Sequence, residues 1–252
     1  MSASLVIARH EVRRLIVQPW SWGLMAAAVA LLAYQFLIAL DRFLQLAPKL
    51  AAAPDGAGAT DIVAASMFSA YANLLLFLVP LLSMRTIAGE RRQHSLTLLL
   101  AAGVGNGAIV FGKWLGVMAW LVLLTALVAL MPLSLVAGTA LDLGRVGAAL
   151  LGLVLQAGLL AAIGVMASAW TAQPALAAAV AIAINLFLTL VDAGARLQGV
   201  SNGAINWLAV TSHIEPPFRG IVASVDIAYF VILGAVALAL AANRLDALRS
   251  AD

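Results

Sequence analysis

The chain has 252 residues, of which 64% are hydrophobic and only 10% charged, and its mean hydropathy is +1.07, whereas a soluble domain is roughly a quarter charged. A chain this short can bury so much apolar surface only in lipid, which excludes a soluble globular fold. Cysteine is absent, which excludes disulfide scaffolds, thiol catalysis and cysteine-ligated metals. The net charge of +3 then reports membrane topology rather than a nucleic-acid partner.

Residues 1–18 carry Leu5, Ala8, Val12 and Leu15 or Ile16 at helical spacing, with Arg9, His10, Arg13 and Arg14 mostly on other faces. This predicts an amphipathic helix lying in the plane of the membrane, a disordered basic anchor being the plainer alternative. Gln18-Pro19 ends it, and Trp20 and Trp22 mark the interface. Charge-free stretches predict membrane helices over 20–40, 62–84 and 114–141. The next one, 146–191, is roughly twice the ~20 residues that one crossing needs. The polar stretch 171–173 followed by Pro174 divides it, so the fourth helix should end near Ser168 and the fifth begin near Pro174. A sixth is predicted over 227–243.

Between the last two, 192–226 forms a segment on the outer face. Gln198, Ser201, Asn202, Asn206, Thr211, Ser212 and His213 make it too polar for lipid, and Asp192 and Asp226, at the outer helix ends, should be solvated. The loop after the first helix is too short for a soluble domain, and that helix is expected to be retained, being too long for a signal-peptide core. The fold class is all-α: one polytopic membrane domain over 1–252, with six transmembrane helices, an amphipathic amino-terminal helix and a short cytoplasmic helix within 85–102.

Basic residues orient it. With both termini inside, the inner segments hold Arg9, Arg13, Arg14, Arg85, Arg91, Arg92, Lys113, Arg244 and Arg249, against Arg42, Lys49, Arg145, Arg196 and Arg219 outside, the bias expected of cytoplasmic loops. Without targeting or organelle motifs, a bacterial inner membrane is the expected location.

Ion-driven transporters need ionisable groups near the midplane, and none is predicted there. The polar residues well inside the helices are Asn73, Gln156 and Asn185, all neutral. They read either as a patch along a translocation path or as interhelical hydrogen bonds that fix packing. His10, His94 and His213 fall in three separate segments and make no metal site. The stretch Gly107-Ala108-Ile109-Val110-Phe111-Gly112-Lys113 has the glycine and lysine spacing of a phosphate-binding loop, but Trp114 stands where that loop needs Ser or Thr for magnesium, and no strand precedes it. Lys113 should snorkel to the interface, while Gly112 and Gly116 form a small-xxx-small pair suited to close helix packing. Any ATP used by this chain must be bound by another protein.

The connection after the second membrane helix bunches its charges at Glu90, Arg91 and Arg92 and then turns apolar. The second helix should project to Arg92, the chain turn at Gln93-His94, and Ser95 cap a short helix presenting Leu96, Leu99 and Leu100. Such an apolar knob beside charged residues suits a groove on a soluble partner; a helix resting on lipid is the alternative.

At these residues the sequence resembles the integral membrane subunits of type-2 ABC exporters, in the branch that includes gliding-motility-type permeases. The resemblance runs through Met84-Arg85, Glu90-Arg91-Arg92, Ser95-Leu96-Thr97-Leu98-Leu99-Leu100 and Ile109-Val110-Phe111-Gly112-Lys113, then Ser212-His213-Ile214-Glu215, Phe218-Arg219-Gly220, residues 226–230 and Leu245-Asp246. His94 stands where the family usually has glycine and Thr97 where it usually has glutamate. The resemblance implies a half-transporter without its own ATPase, meeting a second copy or a related permease in the membrane and served by a separate ABC ATPase subunit that holds ATP and Mg. It implies that 85–102 is a coupling helix seated on that ATPase through Glu90, Arg91, Arg92, His94, Ser95, Leu96, Leu99 and Leu100. It also implies that 1–18 is the connecting helix, and that 192–226, broken by Pro216-Pro217, is an outer gate. A membrane anchor that recruits a soluble complex without transport is the competing function.

Overall fold

The computed structural model describes the backbone of residues 2–50, 58, 60–93, 103–139, 141–197 and 203–250, and side chains there except at 47–50, 61, 192–197 and 204–206. The described helices are α1 (Ala3–Val17), α2 (Pro19–Leu50), α3 (Ala65–Ser83, entered through a π-helical turn, Thr60–Ala64), α4 (Ala88–Arg92) and α5 (Asn106–Leu133). They continue with α6 (Leu143–Trp170), α7 (Pro174–Leu197), α8 (Gly203–Leu208), α9 (Val210–Phe218) and α10 (Ser224–Arg249). No strand occurs among the described residues. Six helices, α2, α3, α5, α6, α7 and α10, are long and apolar enough to cross a membrane, as the composition predicts.

The break between α1 and α2 falls where proline dictates. Pro19 has no N–H to lose at the first position of a helix, and Gln18 before it is extended, with φ −76° and ψ 117°, as a residue preceding proline must be. The break between α6 and α7 lies at Thr171–Gln173, as predicted from the sequence.

The central helix is α6, which packs against α3, α5, α7, α9 and α10. Its run of Gly and Ala lets the neighbours approach closely, which is how helices associate where lipid offers no hydrophobic drive. A Cβ at Gly164 would lie 1.9 Å from Ser83 Oγ of α3, so only glycine fits there.

Several boundaries differ from the sequence reading: α2 continues to Leu50 rather than ending near 40, α5 ends at Leu133 rather than 141, and α10 runs to Arg249 rather than 243. The helix α3 does not project to Arg92: it ends at Ser83, the chain turns over Met84–Ile87, and α4 follows as a separate turn of helix. The helix α5 starts at Asn106, eight residues before the predicted Trp114, because its polar first turns are covered by α1 and α10 rather than left in water. Pro216 and Pro217 do not break 192–226; they form the last turn of α9, which then closes at Gly220 with φ +85°, a left-handed conformation natural to glycine after a helix.

Candidate functional site

The amino-terminal helix lies along the first turns of α5. Ideal Cβ atoms at Gly112 and Gly116 would fall 2.7 Å from the Ser4 carbonyl oxygen and 2.4 Å from Glu11 Cβ, so this glycine pair is the groove that receives α1. The buried positions of α1 are Glu11 and Leu15, while Leu5, Val6 and Ile16 are exposed. The packed face therefore includes Leu15 of the apolar stripe read from the sequence but not Leu5, and the residue at its centre is a carboxylate.

That carboxylate has a cation waiting for it. Lys113 is 1% exposed and does not snorkel. Its Nζ lies 3.7 Å from Glu11 Oε2 and is bonded to Glu90 Oε1 of α4. Arg14 completes the set, with Nη2 2.5 Å from Glu11 Oε1 and Nη1 donating to the Arg85 carbonyl at 3.3 Å. Two carboxylates and two cations from α1, α4 and α5 thus neutralise one another, Glu11 and Lys113 fully buried and Arg14 and Glu90 partly exposed at the edge, and pairing is the condition under which buried charge is tolerated. Burial raises the Glu11 carboxyl above its ordinary value, against the opposing pull of Lys113 and Arg14. Lys113 lies within α5 and is taken up by these glutamates, so the likeness of 107–113 to a phosphate-binding loop ends at the spacing.

A second tie holds the turn that leads into α4. Ser168 Oγ, near the end of α6, accepts from the backbone N–H groups of Ile87 and Ala88 at 3.0 and 2.9 Å and donates to the Met84 carbonyl at 3.0 Å. The first N–H groups of a helix have no partner within it, and α4 has no side-chain cap of its own; Ser168 supplies one from another helix. At the same end of the bundle Asn106 Nδ2 donates to Asp246 Oδ1, and Arg249 Nη2 to the Val104 carbonyl, which fixes α10 to the start of α5.

Of the residues expected to seat a partner, Glu90 turns inward to Lys113, Arg91 is half-buried and Arg92 exposed. His94, Ser95, Leu96, Leu99 and Leu100 lie outside the described residues. The three neutral polar residues all meet α3 within residues 72–76. Gln156 Nε2 donates to the Ala72 carbonyl at 3.3 Å and Asn185 Nδ2 to the Leu76 carbonyl at 3.5 Å, while Asn73 is exposed and donates to Ser69 of its own helix. The Leu76 carbonyl is the one that would accept from residue 80, and residue 80 is proline. Asn185 therefore serves a carbonyl that Pro80 has freed.

At the opposite end, Asp226 is not solvated. It is buried, and its Oδ1 lies 2.7 Å from His213 Nδ1, while His213 Nε2 faces the Trp207 carbonyl at 3.0 Å. A carbonyl only accepts, so Nε2 carries a proton. Tyr229 stacks on the His213 ring at 4.0 Å and donates to the Leu208 carbonyl at 2.7 Å. This network joins α8 and α9 to the start of α10. Asp192 has its side chain outside the described residues.

Glu11 and Ser168 were missed by the sequence reading. A lone acid among Arg9, His10, Arg13 and Arg14, three residues after Ala8 and four before Leu15, was a legible signal for Glu11; a serine in a Gly- and Ala-rich helix gave none.

Compared with protein families, residues 5–246 match the family described as ABC-2 family transporter protein. A comparison with curated proteins finds no match.

Proposed function

The chain belongs to the ABC-2 transporter family, as a membrane permease subunit of an ABC transporter, and on that premise we propose that it is the membrane half of an ATP-driven exporter served by a separate ATPase subunit. ATP and magnesium belong on that subunit. The end of the bundle that carries α1, α4 and the close of α10 faces the cytoplasm of a bacterial inner membrane, the orientation favoured by its basic residues. The segment 85–102 is the coupling helix, α1 the connecting helix, and a second copy or related permease completes the path, with Asn73, exposed on α3, facing it. The residue pattern over 84–113 further supports the gliding-motility-type branch.

The observation that carries this reading is the buried quartet of Glu11, Arg14, Glu90 and Lys113. A partner that merely rested on the membrane surface would need no rigid link beneath it. Here α4 is joined to α5 through Lys113 and to α6 through Ser168, so a push delivered by ATP-driven closure of the partner reaches two membrane helices directly.

The test is gentle purification of the tagged chain, with ATPase stoichiometry and ATP turnover as the readouts. Glu90→Ala would confound it by removing one of the two carboxylates that hold Lys113, so Arg91→Glu is the variant of choice. We expect one ATPase per chain in the wild type and at least a fivefold loss in the variant, with unchanged elution of the permease. Retention of the ATPase at wild-type level by Arg91→Glu would remove 85–102 as the docking segment.

A further inference from the structure

A cavity of about 1020 Å³ opens at the α1 and α4 end of the bundle, lined by His10, Arg14, Arg85, Arg92, Gln173 and Pro174 among others. Its charge is unbalanced. Arg14 is paired with Glu11, and Glu90, which also lines it, with Lys113. Arg85 and Arg92 have no ion-pair partner among the described residues, and both are exposed. The lining also includes the amino terminus of α7, a 24-residue helix beginning at Pro174, and the N–H groups of a helix's first turn add positive potential. The wall is continuous with exposed apolar surface: Trp170 and Leu176, which flank 171–175, are 57% and 52% exposed. Tryptophan beside a polar cavity at a helix end marks the level of the lipid headgroups.

We propose that this cavity is a binding site for a phosphate ester carrying net negative charge, held by Arg85 and Arg92 with the α7 amino terminus in the same lining. Guanidinium groups bind phosphate through paired N–H donors, and a volume of this order accommodates a headgroup. The ligand is either the headgroup of an anionic phospholipid, whose acyl chains leave past Trp170 and Leu176, or a soluble phosphate ester. The site overlaps the proposed docking segment, since Arg92 belongs to it and Arg85 begins it, so ligand binding is read on the chain without its partner.

The test uses the full chain without any ATPase. Native mass spectrometry would follow its release from micelles containing phosphatidylglycerol and phosphatidylcholine, and equilibrium dialysis with labelled inorganic phosphate forms the second arm. We expect one phosphatidylglycerol retained per chain with at least tenfold preference over phosphatidylcholine. Arg85→Gln should reduce that retention at least fivefold, Arg85→Lys should restore part of it, and Arg219→Gln, at an exposed arginine of the opposite end, should leave it unchanged. Phosphate binding that depends on Arg85, without lipid preference, identifies the soluble ester as the source. Retention by Arg85→Gln,Arg92→Gln at the wild-type level in both arms would overturn the site. So would loss of ATPase co-purification in Arg85→Gln with lipid and phosphate binding intact, which would give the cavity to the partner.

Discussion

Replacing Lys113 by methionine tests the quartet most directly, because it keeps the length of the side chain and removes only its charge. At the 3.7 Å between Lys113 Nζ and Glu11 Oε2, a pair of unit charges in an effective dielectric near 20 attracts by about 4 kcal/mol, and Glu90 adds a second, less buried contact. Desolvation offsets most of that gain, so the intact quartet contributes little net stability, but taking its most buried cation away leaves the set one positive charge short, at a cost of about 3 kcal/mol. For a chain of this size that is a fall in Tm of about 10 °C. The assay is heating in detergent followed by size-exclusion chromatography with tryptophan fluorescence, since six tryptophans are present and cysteine is absent. Burial already raises Glu11, so the folded state favours the protonated carboxyl. The associated stability is present below the ordinary carboxylate range and is lost as pH rises through the raised value. Without Lys113 the carboxyl rises further, and the deficit should be larger at pH 8 than at pH 5. Combining Lys113→Met with Glu90→Gln, which leaves the Arg14–Glu11 pair in place, should recover most of the loss. A Lys113→Met protein within about 2 °C of wild type at pH 8, below the shift expected from even 1 kcal/mol, would refute the burial of this charge set.

Ser168→Ala removes the acceptor for two backbone N–H groups and the donor to Met84, at a cost of about 2 kcal/mol. Tryptic cleavage after Arg85, Arg91 or Arg92 should accelerate several-fold, and an unchanged cleavage rate would show that α4 is held by other contacts. Asn185→Leu leaves the Leu76 carbonyl without its interhelical donor and should lower Tm by roughly 2–3 °C, corresponding to about 1 kcal/mol. Pro80→Ala restores the helical N–H to the same carbonyl, so in that background Asn185→Leu should be nearly neutral; equal effects in both backgrounds would dissociate Asn185 from the proline.

The membrane helices were legible because lipid imposes the same requirement on every residue of a span, and 171–174 announces the turn between α6 and α7 by its polarity and proline. What was not legible depends on pairing between distant segments. The sequence reading assigned Lys113 and Asp226 to water because each looks solitary in its own segment. Their partners come from elsewhere: the carboxylates of Glu11 and Glu90 for the one, the His213 ring for the other. Gly112 and Gly116 correctly signalled a close approach, yet the partner was the amino-terminal helix and not another membrane span. The apolar stripe of α1 was informative only in part, since Leu15 is buried but Leu5 is exposed and the packed face centres on Glu11.

These pairings also decide how force can travel. The helix α3 ends at Ser83 and is separated from α4 by a turn, so α4 is not a rigid extension of α3, as an unbroken helix to Arg92 would have made it. Its firm attachments are sideways, through Glu90 to α5 and through Ser168 to α6. A displacement of α4 therefore acts on α5 and α6 first, and on α3 through the Ser83 contact at Gly164. Because α1 is bound to the same lysine and to the glycine groove of α5, it moves with them rather than acting as a fixed raft. On this account Ser168→Ala should uncouple ATP turnover from transport more severely than Arg91→Glu does in whatever complex still assembles. Under the proposed coupling, Arg91→Glu would weaken only the seating of the partner, whereas Ser168→Ala would loosen the link through which the partner acts.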